Sequence, residues 1–397
     1  MSSAATGYRS LLRIPGAAAF FLTAAVGRVG IAMTGLGLVW LVHDRIGSYG
    51  TAGLATAGFS LAEALIGPQL ARLVDRFRQT RVLPFCLLAH GTAMAVVLTS
   101  TAPTALIVSA TCAGAAVPQL GALSAARWAH LLRETRADDL PTAFSLESLA
   151  NATAFLVGPV LVAGLGAAGD PAVATIIAAA LILGGGGGLA AQGRTAPRPA
   201  RRLSERDTGR TLLRLDFVLI AMLNLAIGLY FGTMGVSVSA FAVSSGTPDA
   251  AALIIAASSL SGLLAGWLYG LRRHRMPAHR QLIIATAYLT GTALLLPLAP
   301  SALWLGAAVV ITEAAIPPTL VLLNVLTERT VHPTVLTQAF TWNNSTSAAG
   351  SALAASIAGH TADHLGPSTA LALAPTAGLT LLTLAITLKI RHRSRRR

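Results

Sequence analysis

The sequence predicts an all-α membrane protein in which twelve transmembrane helices form two pseudo-symmetric six-helix bundles. Three observations lead to this prediction. Apolar residues make up 54% of the 397 residues and charged residues only 11%, whereas a soluble domain usually carries about 25% charged residues. The basic residues are sorted between alternate loops, and the second half of the sequence repeats short motifs of the first half.

The apolar residues gather in stretches of roughly 20 residues, each long enough to cross about 30 Å of hydrocarbon. Backbone polar groups inside lipid must be paired within their own segment, so each stretch is predicted to be a helix. The predicted helices 1 to 12 cover residues 14–42, 49–70, 82–101, 103–127, 142–168, 172–193, 215–244, 249–271, 281–299, 301–327, 334–358 and 368–390.

The distribution of Lys and Arg predicts the topology. All but two of the 29 basic residues fall at the termini or in alternate loops; the exceptions are Arg28, inside helix 1, and Arg45, in the opposite set of loops. Basic residues mark the loops that stay in the cytoplasm. We therefore expect a multi-pass protein with both termini in the cytoplasm. The Arg-, Ala- and Gly-rich composition favours a bacterial cytoplasmic membrane.

The two halves of the chain resemble each other at an offset of half its length. A Pro-containing motif of helix 4, Ala115–Pro118, recurs 199 residues later as Ala314–Pro317 in helix 10. Two weaker matches agree with it, namely Ala25-Val26-Gly27 with Ala226-Ile227-Gly228, and Gly67 with Gly266. Parallel repeats of this kind are a known transporter plan, with the substrate site between the halves. We expect six-helix bundles at 1–193 and 215–397, joined by an Arg- and Pro-rich cytoplasmic linker at 194–214.

The composition argues against several other classes of function. Aromatic residues are only 5%, so nothing offers a stacking platform for nucleic acid, and an anionic inner leaflet explains the arginines better. No nucleotide-binding loop and no embedded Ser/His/Asp set are present, so neither an enzyme nor a cofactor is expected. Cys86 and Cys112 show no metal spacing. His360 and His364 are expected to be solvated, so no metal is predicted.

The segment after helix 2 carries the most specific motif. It reads Ala71-Arg72-Leu73-Val74-Asp75-Arg76-Phe77-Arg78-Gln79-Thr80-Arg81 and resembles the loop signature G-x-x-x-D-R-x-G-R-R of the major facilitator superfamily, in the family's own position. Asp75, Arg76 and Arg81 match, whereas Ala71 and Arg78 replace the two glycines. The resemblance covers essentially the whole chain. It implies a twelve-helix transporter in which Asp75 lies near the start of helix 11, where a helix N-terminus stabilises a carboxylate. The alternative is an ordinary basic loop with a solvated Asp75.

Helix 5 carries a second motif. Gly158 and Pro159, followed by Ala163-Gly164, resemble the end of the family's antiporter motif, G-P-x-x-G-G. The resemblance implies exchange of a substrate against another solute. The alternative is a Gly-Pro kink that allows close helix contact and has no bearing on transport direction.

Charged residues inside the predicted spans are the main candidates for function. A charge at the bilayer centre costs at least about 2.5–3.5 kcal/mol, so such residues are rare and usually functional. They are Arg28, Glu63, Glu147 and Glu313, in helices 1, 2, 5 and 10. In the resembled fold, helices 1, 2, 4, 5, 7, 8, 10 and 11 border the central cavity, and all four residues lie on these helices.

Each of these charges has two interpretations. Arg28 and Glu63 lie on adjacent helices and could form a gating pair or a purely structural one. Glu313 has no obvious basic partner, and low dielectric favours a neutral carboxyl, so we expect it to couple transport to protons. Alternatively, a protonated Glu313 bonds the backbone freed by Pro317-Pro318. Glu147 lies near the inner boundary and is expected to pair with Arg76 or Arg133.

Uncharged polar and aromatic residues on the same helices are candidates for the substrate cavity, although helix–helix contacts would explain them equally well. They are Gln119, Asn151, Asn224, Tyr230, Phe231, Trp342, Asn343 and Asn344. The sequence thus favours a monomeric secondary transporter that works by alternating access. Its expected partners are a small-molecule substrate, protons and the lipid bilayer. Proton-coupled efflux of a small apolar or amphipathic compound is the favoured version. The alternatives are uptake or facilitated diffusion of a small nutrient, and a non-transporting scaffold or sensor.

Overall fold

The computed structural model of the chain describes residues 6–167, 169–197 and 211–394. We number the membrane-spanning helices α1 to α12, with a and b for the two parts of a divided span. A short N-terminal helix, Thr6–Leu12, precedes them. The spans of the first half are α1 (Ala17–Ile46), α2 (Tyr49–Phe77), α3 (Gln79–Thr99), α4a (Pro103–Ala116), α4b (Leu120–Leu132), α5 (Leu140–Ala167) and α6 (Pro171–Ala191). Those of the second half are α7 (Leu215–Ser244), α8 (Ala250–Leu271), α9 (Ala278–Ala293), α10a (Ala302–Glu313), α10b (Ile316–Thr330), α11 (Leu336–Leu365), α12a (Pro367–Leu371) and α12b (Leu373–Ser394).

The predicted twelve-helix fold in two pseudo-symmetric bundles is confirmed. Among the described residues, nine spans are long and apolar enough by themselves to cross a membrane. The other three are α2, which carries Glu63 and a charged end, α9, whose regular part has 16 residues, and α11, which is rich in Ser, Thr and Asn. Large apolar side chains such as Phe85, Leu298 and Leu303 are 70–86% exposed on the outside of the bundle, where lipid would cover them.

The repeated Pro motif coincides with a break in the same helix of each half. In the first half the helix stops at Ala116 and resumes at Leu120. In the second half it stops at Glu313 and resumes at Ile316. Proline has no N–H and its ring clashes with the preceding turn, so Pro118 and Pro317 account for the breaks. The halves also pack alike, since α1 contacts α5 and α6 as α7 contacts α11 and α12.

Several boundaries differ from the sequence prediction: helices 4, 10 and 12 were expected to be continuous but are each divided in two, and helix 9 is shorter and helix 11 longer than predicted. The segment 72–81 was expected to be a loop, but α2 continues to Phe77 and α3 begins at Gln79, so that only Arg78 separates them. Helix 1 does not begin at residue 14, because Gly16, with φ +83°, makes a turn that detaches the N-terminal helix. The predicted linker 194–214 falls largely on residues 198–210, which lie outside the described residues.

Two arginines bind the carboxyl ends of spans, where the last carbonyls lack helical partners. Arg45, the exception to the sorting of basic residues, donates to the carbonyls of Val97, Leu98 and Ser100 at 2.5–2.9 Å, at the end of α3. Arg127 is fully buried and donates to the carbonyls of Leu189 and Gln192 at 2.8 and 2.9 Å, at the end of α6. Neither arginine is therefore available to a substrate.

Candidate functional site

We call the end of the bundle that carries the N-terminal helix, the α2–α3 turn and the end of α12b the basic side, and the other end the opposite side. The two halves touch through α2 with α11, α5 with α8 and α10b, and α4b with α11. The helices α4a and α10a lie on the opposite side, and each packs mainly against helices of its own half. Over the described residues, the hydrogen bonds, the salt bridge and the aromatic pair that join the two halves all lie on the basic side.

Hydroxyl groups of the first half close the basic side by binding backbone carbonyls of α8. Ser145 donates to Gly266 O and Thr142 to Gly270 O, both at 2.9 Å. The Tyr8 hydroxyl of the N-terminal helix donates to Trp267 O at 3.1 Å. A Cβ on Gly270 would overlap the Tyr8 hydroxyl, so the N-terminal helix can lie this close to α8 only because residue 270 is glycine. This N-terminal helix is not among the helices predicted from the sequence, because seven residues next to a longer apolar stretch give no separate signal.

The signature motif forms the second contact between the halves. The Asp75 carboxylate accepts a hydrogen bond of 2.9 Å from the backbone N–H of Gln338, in the first turn of α11. This is the contact that the family resemblance implied. Arg76 lies 5.2 Å from the Phe77 ring and Arg81 is exposed. Arg78, in place of a family glycine, has φ +88° and ψ +137°, a region that glycine adopts far more readily.

A salt bridge and an aromatic pair complete the closed side. Arg133 donates to the Glu328 carboxylate at 2.6 Å and to its carbonyl at 3.0 Å. Phe144 and Phe340 meet edge to face with ring centroids 5.7 Å apart. These contacts also join the first half to the second, so a small number of polar and aromatic groups holds the basic side together.

The buried charge of α1 is neutralised inside the first half. Arg28 forms a salt bridge with Glu147 of α5, and both side chains are about 6% exposed. Ser124 of α4b donates to the same carboxylate at 2.5 Å. The expected pairing of Arg28 with Glu63 is wrong, and so is the expected pairing of Glu147 with Arg76 or Arg133. Sequence spacing could not rank these partners, because the choice depends on the packing of α1 against α5 and α4b.

Glu63 instead contacts the break in α4. The Gln119 amide donates to its carboxylate at 3.3 Å. One turn along α2, a Cβ on Gly67 would lie 3.1 Å from the Gln119 amide nitrogen and 3.4 Å from Thr341 of α11. Glu63 therefore lies about one turn, or roughly 6 Å, beyond the contact between the halves. Its side chain is partly exposed.

Glu313 lies in the corresponding region of the second half, at the break in α10. Its carboxyl group faces the Tyr230 hydroxyl of α7, although the two do not form a hydrogen bond of regular geometry. One turn further, Pro317 packs against Gly266, and Leu149 of the first half lies near the same glycine. Glu313 is also partly exposed and also lies just beyond a contact between the halves.

The other cavity candidates divide into two groups. Asn224 and Asn343 are buried and donate to Ile220 O and to the Thr327 hydroxyl, at 2.9 and 2.8 Å. The structure thus gives both a role in helix packing, and Tyr230 is likewise fully buried. The remaining candidates are exposed or partly exposed: Gln119, Asn151, Phe231, Trp342 and Asn344.

The helix-5 motif lies at a close crossing of α5 and α1. A Cβ on Gly158 would come within 2.9 Å of the Ala32 side chain and 3.2 Å of the Met33 nitrogen. Pro159 lies inside α5, which remains helical through it. The rings of His360 and His364 lie 4.3 Å apart and tilted by 58° at the opposite side, and the described residues contain no group of three or more potential metal ligands.

Comparison with known proteins assigns the fold. The family model for the Major Facilitator Superfamily matches residues 20–355. The chain belongs to the major facilitator superfamily. As a member of this superfamily, the chain is a multi-pass membrane transporter of small molecules rather than an enzyme. No functionally curated protein matches its sequence.

Solved structures agree with this major facilitator assignment at low sequence identity, which shows the fold alone. The human organic anion transporter MFSD10 (TETRAN) is 19% identical, with a TM-score of 0.71 over 93% of this chain and 98% of that one. A bacterial homologue of the iron transporter ferroportin in an outward-facing state is 11% identical, with a TM-score of 0.77 over 94% and 99%. The transporter FucP in its outward conformation is 12% identical, with a TM-score of 0.74 over 95% and 99%.

Proposed function

We propose that this chain is a secondary active transporter that works by alternating access. The observation that carries the proposal is the one-sided closure of the cleft, which brings the halves together on the basic side while α4a and α10a stay within their own halves. The closing contacts are individually separable, because most are single hydrogen bonds from one half to backbone atoms of the other. Hydrogen bonds of this kind contribute about 0.5–1.5 kcal/mol each.

The proposed units are the bundles 1–193 and 215–397, which rock about the cleft while 194–214 serves as their linker. The basic side faces the cytoplasm of a bacterium and both termini lie there, in agreement with the distribution of Lys and Arg. The protein works as a monomer, since one chain contains both halves of the cleft.

The proposed transport reaction is export of a small apolar or amphipathic compound in exchange for protons. Glu313 is the coupling group, with Glu63 as the second acid of the cleft. Both carboxyl groups are partly exposed, and neither has an ion-pair partner among the described residues. A carboxyl group in this situation can exchange its proton without breaking a salt bridge. The resemblance of Gly158-Pro159 to the antiporter motif supports exchange.

Alternating access is tested by two distance measurements that need no substrate. Spin labels are placed at Arg81→Cys and Arg275→Cys on the basic side, and at Gly50→Cys and Thr247→Cys on the opposite side. All four positions are exposed, and the background carries Cys86→Ser and Cys112→Ser. In lipid nanodiscs, a change of pH should lengthen one distance while it shortens the other. A single fixed distance on both sides would contradict alternating access and favour a scaffold or sensor.

Proton coupling is tested in the same labelled proteins. Glu313→Gln should abolish the pH-dependent change, whereas Glu134→Gln, at an exposed position in the α4–α5 turn, should leave it intact. An unaltered response of the Glu313→Gln protein would remove Glu313 from the mechanism.

The direction of transport is tested after a ligand has been found. Ligands are identified because they raise the melting temperature of the purified protein by mass action. When such a ligand is added outside sealed proteoliposomes, antiport releases protons into the medium. Proton uptake with the ligand would instead favour the alternative, nutrient uptake, and ligand flux without proton movement would favour facilitated diffusion.

A further inference from the structure

Among the described residues, one positive charge, Arg28, lies in the middle of the spans, and it is already neutralised. Among the described residues, the charged side chains in the middle of the spans are Arg28, Glu63, Glu147 and Glu313. Arg28 and Glu147 form a buried salt bridge, and Ser124 donates to the same carboxylate. The pair has no net charge and is nearly inaccessible. Of these four groups, only the carboxyl groups of Glu63 and Glu313 are therefore left without a cation.

The two remaining acids have neutral partners. Glu63 accepts from the Gln119 amide at 3.3 Å, and Glu313 faces the Tyr230 hydroxyl. An amide and a phenol can orient a carboxylate, but neither supplies the positive charge that would compensate for its partial removal from water. Both acids are partly exposed, so a molecule in the cleft can reach them.

Glu63 lies in the first half and Glu313 in the second, and in each case the corresponding position of the other half carries no acid. The 199-residue offset that relates the helix breaks places Gly262 at the position of Glu63, and Gly114 at the position of Glu313. A Cβ on Gly114 would overlap the Phe59 carbonyl, so the first half has no room for a side chain there. Each half thus supplies one acid beside its own helix break: α2 in the first half and α10a in the second.

We propose that the cleft binds organic cations, and that Glu63 and Glu313 together recognise the positive charge. The proposal rests on the proposed transport function and narrows its substrate class to amphipathic cations. An anion would find no cation to pair with, since Arg28 is neutralised by Glu147, and each of the two acids would repel it once ionised. A cation gains from either carboxylate in a region of low dielectric, where such interactions are much stronger than in water.

The test compares two probes of nearly equal size and shape but opposite charge, tetraphenylphosphonium and tetraphenylborate. Binding to the purified full-length protein is measured by equilibrium dialysis, with protein-free detergent micelles subtracted as the blank. The wild-type protein should bind tetraphenylphosphonium at least about tenfold more tightly than tetraphenylborate. Equal or tighter binding of the anion, or no binding of the cation up to millimolar concentration, would overturn the proposal.

Variants then assign the charge recognition to the two acids. The double variant Glu63→Gln, Glu313→Gln should lose at least about tenfold in affinity for tetraphenylphosphonium. Glu63→Asp and Glu313→Asp, which keep the charge, should stay within a few-fold of wild type, and Glu134→Gln is the control. Retention of full affinity by a folded double variant would refute the assignment. If that variant does not fold, two measurements still test the proposal. They are the comparison of the two probes on the wild-type protein and the affinities of the aspartate variants for tetraphenylphosphonium.

The test separates this inference from the proposed function. If the spin-label distances alternate but the protein does not prefer the cation, only the substrate class is wrong. If the distances do not alternate but the cation binds through Glu63 and Glu313, the transport mechanism is wrong while the binding site stands.

Discussion

The Asp75 carboxylate and the backbone N–H of Gln338 lie 2.9 Å apart across the boundary between the two halves. The carboxylate meets the first turn of α11, where unpaired N–H groups and the helix dipole favour negative charge by about 0.3–1 kcal/mol, or up to about 2 kcal/mol when partly buried. In the proposed cycle, this contact would break when the basic side opens. It therefore contributes directly to the balance between the closed and open states.

Asp75→Ala should shift this balance toward opening on the basic side. A loss of about 1–2 kcal/mol corresponds to roughly a five- to thirtyfold change in the ratio of the two states. The distance between labels at Arg81→Cys and Arg275→Cys reports the shift. Asp138→Ala, in the α4–α5 turn on the same side, is the matched control and should leave the distance distribution unchanged. An unchanged distribution for Asp75→Ala would show that the contact is not energetically important.

Tyr8→Phe should also favour opening on the basic side, because it removes the hydrogen bond to Trp267 O. One such bond contributes about 0.5–1.5 kcal/mol. Burial raises the pKa of the Tyr8 phenol, so it remains a neutral donor at physiological pH. The same labels measure the effect, and Tyr49→Phe, at an exposed position on the opposite side, is the control. Equal effects of the two substitutions would contradict a role for the N-terminal helix in closure.

Arg28→Met should destabilise the protein by about 3–5 kcal/mol, because it leaves the buried Glu147 carboxylate without its cation. The double substitution Arg28→Met, Glu147→Leu removes both charges and should cost much less. Chemical unfolding in detergent, followed as a double-mutant cycle, measures the difference. Additive effects of the two single substitutions would show that the charges do not interact.

Gly232→Ala should strongly destabilise the second half, since a Cβ there would overlap the Ser351 carbonyl of α11. Gly235→Ala, in the same helix with no atom within 4 Å of the added carbon, should be neutral or stabilising by up to about 1 kcal/mol through helix propensity. The midpoints of thermal unfolding of the two variants are compared. Similar midpoints would mean that α7 and α11 are not in the close contact described.

Arg78→Gly should stabilise the protein. The Arg78 backbone has φ +88° and ψ +137°, a conformation that costs a side-chain-bearing residue of order 1–3 kcal/mol and glycine far less. The substitution gives up only a long hydrogen bond of 3.4 Å to Gly193 O. Arg81→Gly, where φ is not positive, is the control and should not stabilise. A lower unfolding midpoint for Arg78→Gly would show that the lost arginine contact outweighs the relief of strain.

Some features of the site followed from local patterns in the sequence. The breaks in α4 and α10 were not predicted, because helices 103–127 and 301–327 were expected to be continuous, although the repeated Pro motif lies at both places and accounts for them. The contact of Asp75 with the start of α11 followed from the signature motif and from the family resemblance it carries. The partner of Arg28 did not follow, because Glu63 and Glu147 are equally plausible by sequence and only the packing of α1 against α5 selects Glu147.

The sequence by itself determined that the chain spans a membrane twelve times, that its halves repeat, and which acids lie in the interior. Those properties depend on hydropathy, on the sorting of Lys and Arg and on short motifs, all of which are local. The tertiary structure decided that Arg28 is neutralised while Glu63 and Glu313 are not, that Arg45 and Arg127 bind helix ends, and that the N-terminal helix reaches α8. These outcomes depend on which helix faces pack together, and that packing is determined jointly by residues far apart in the chain.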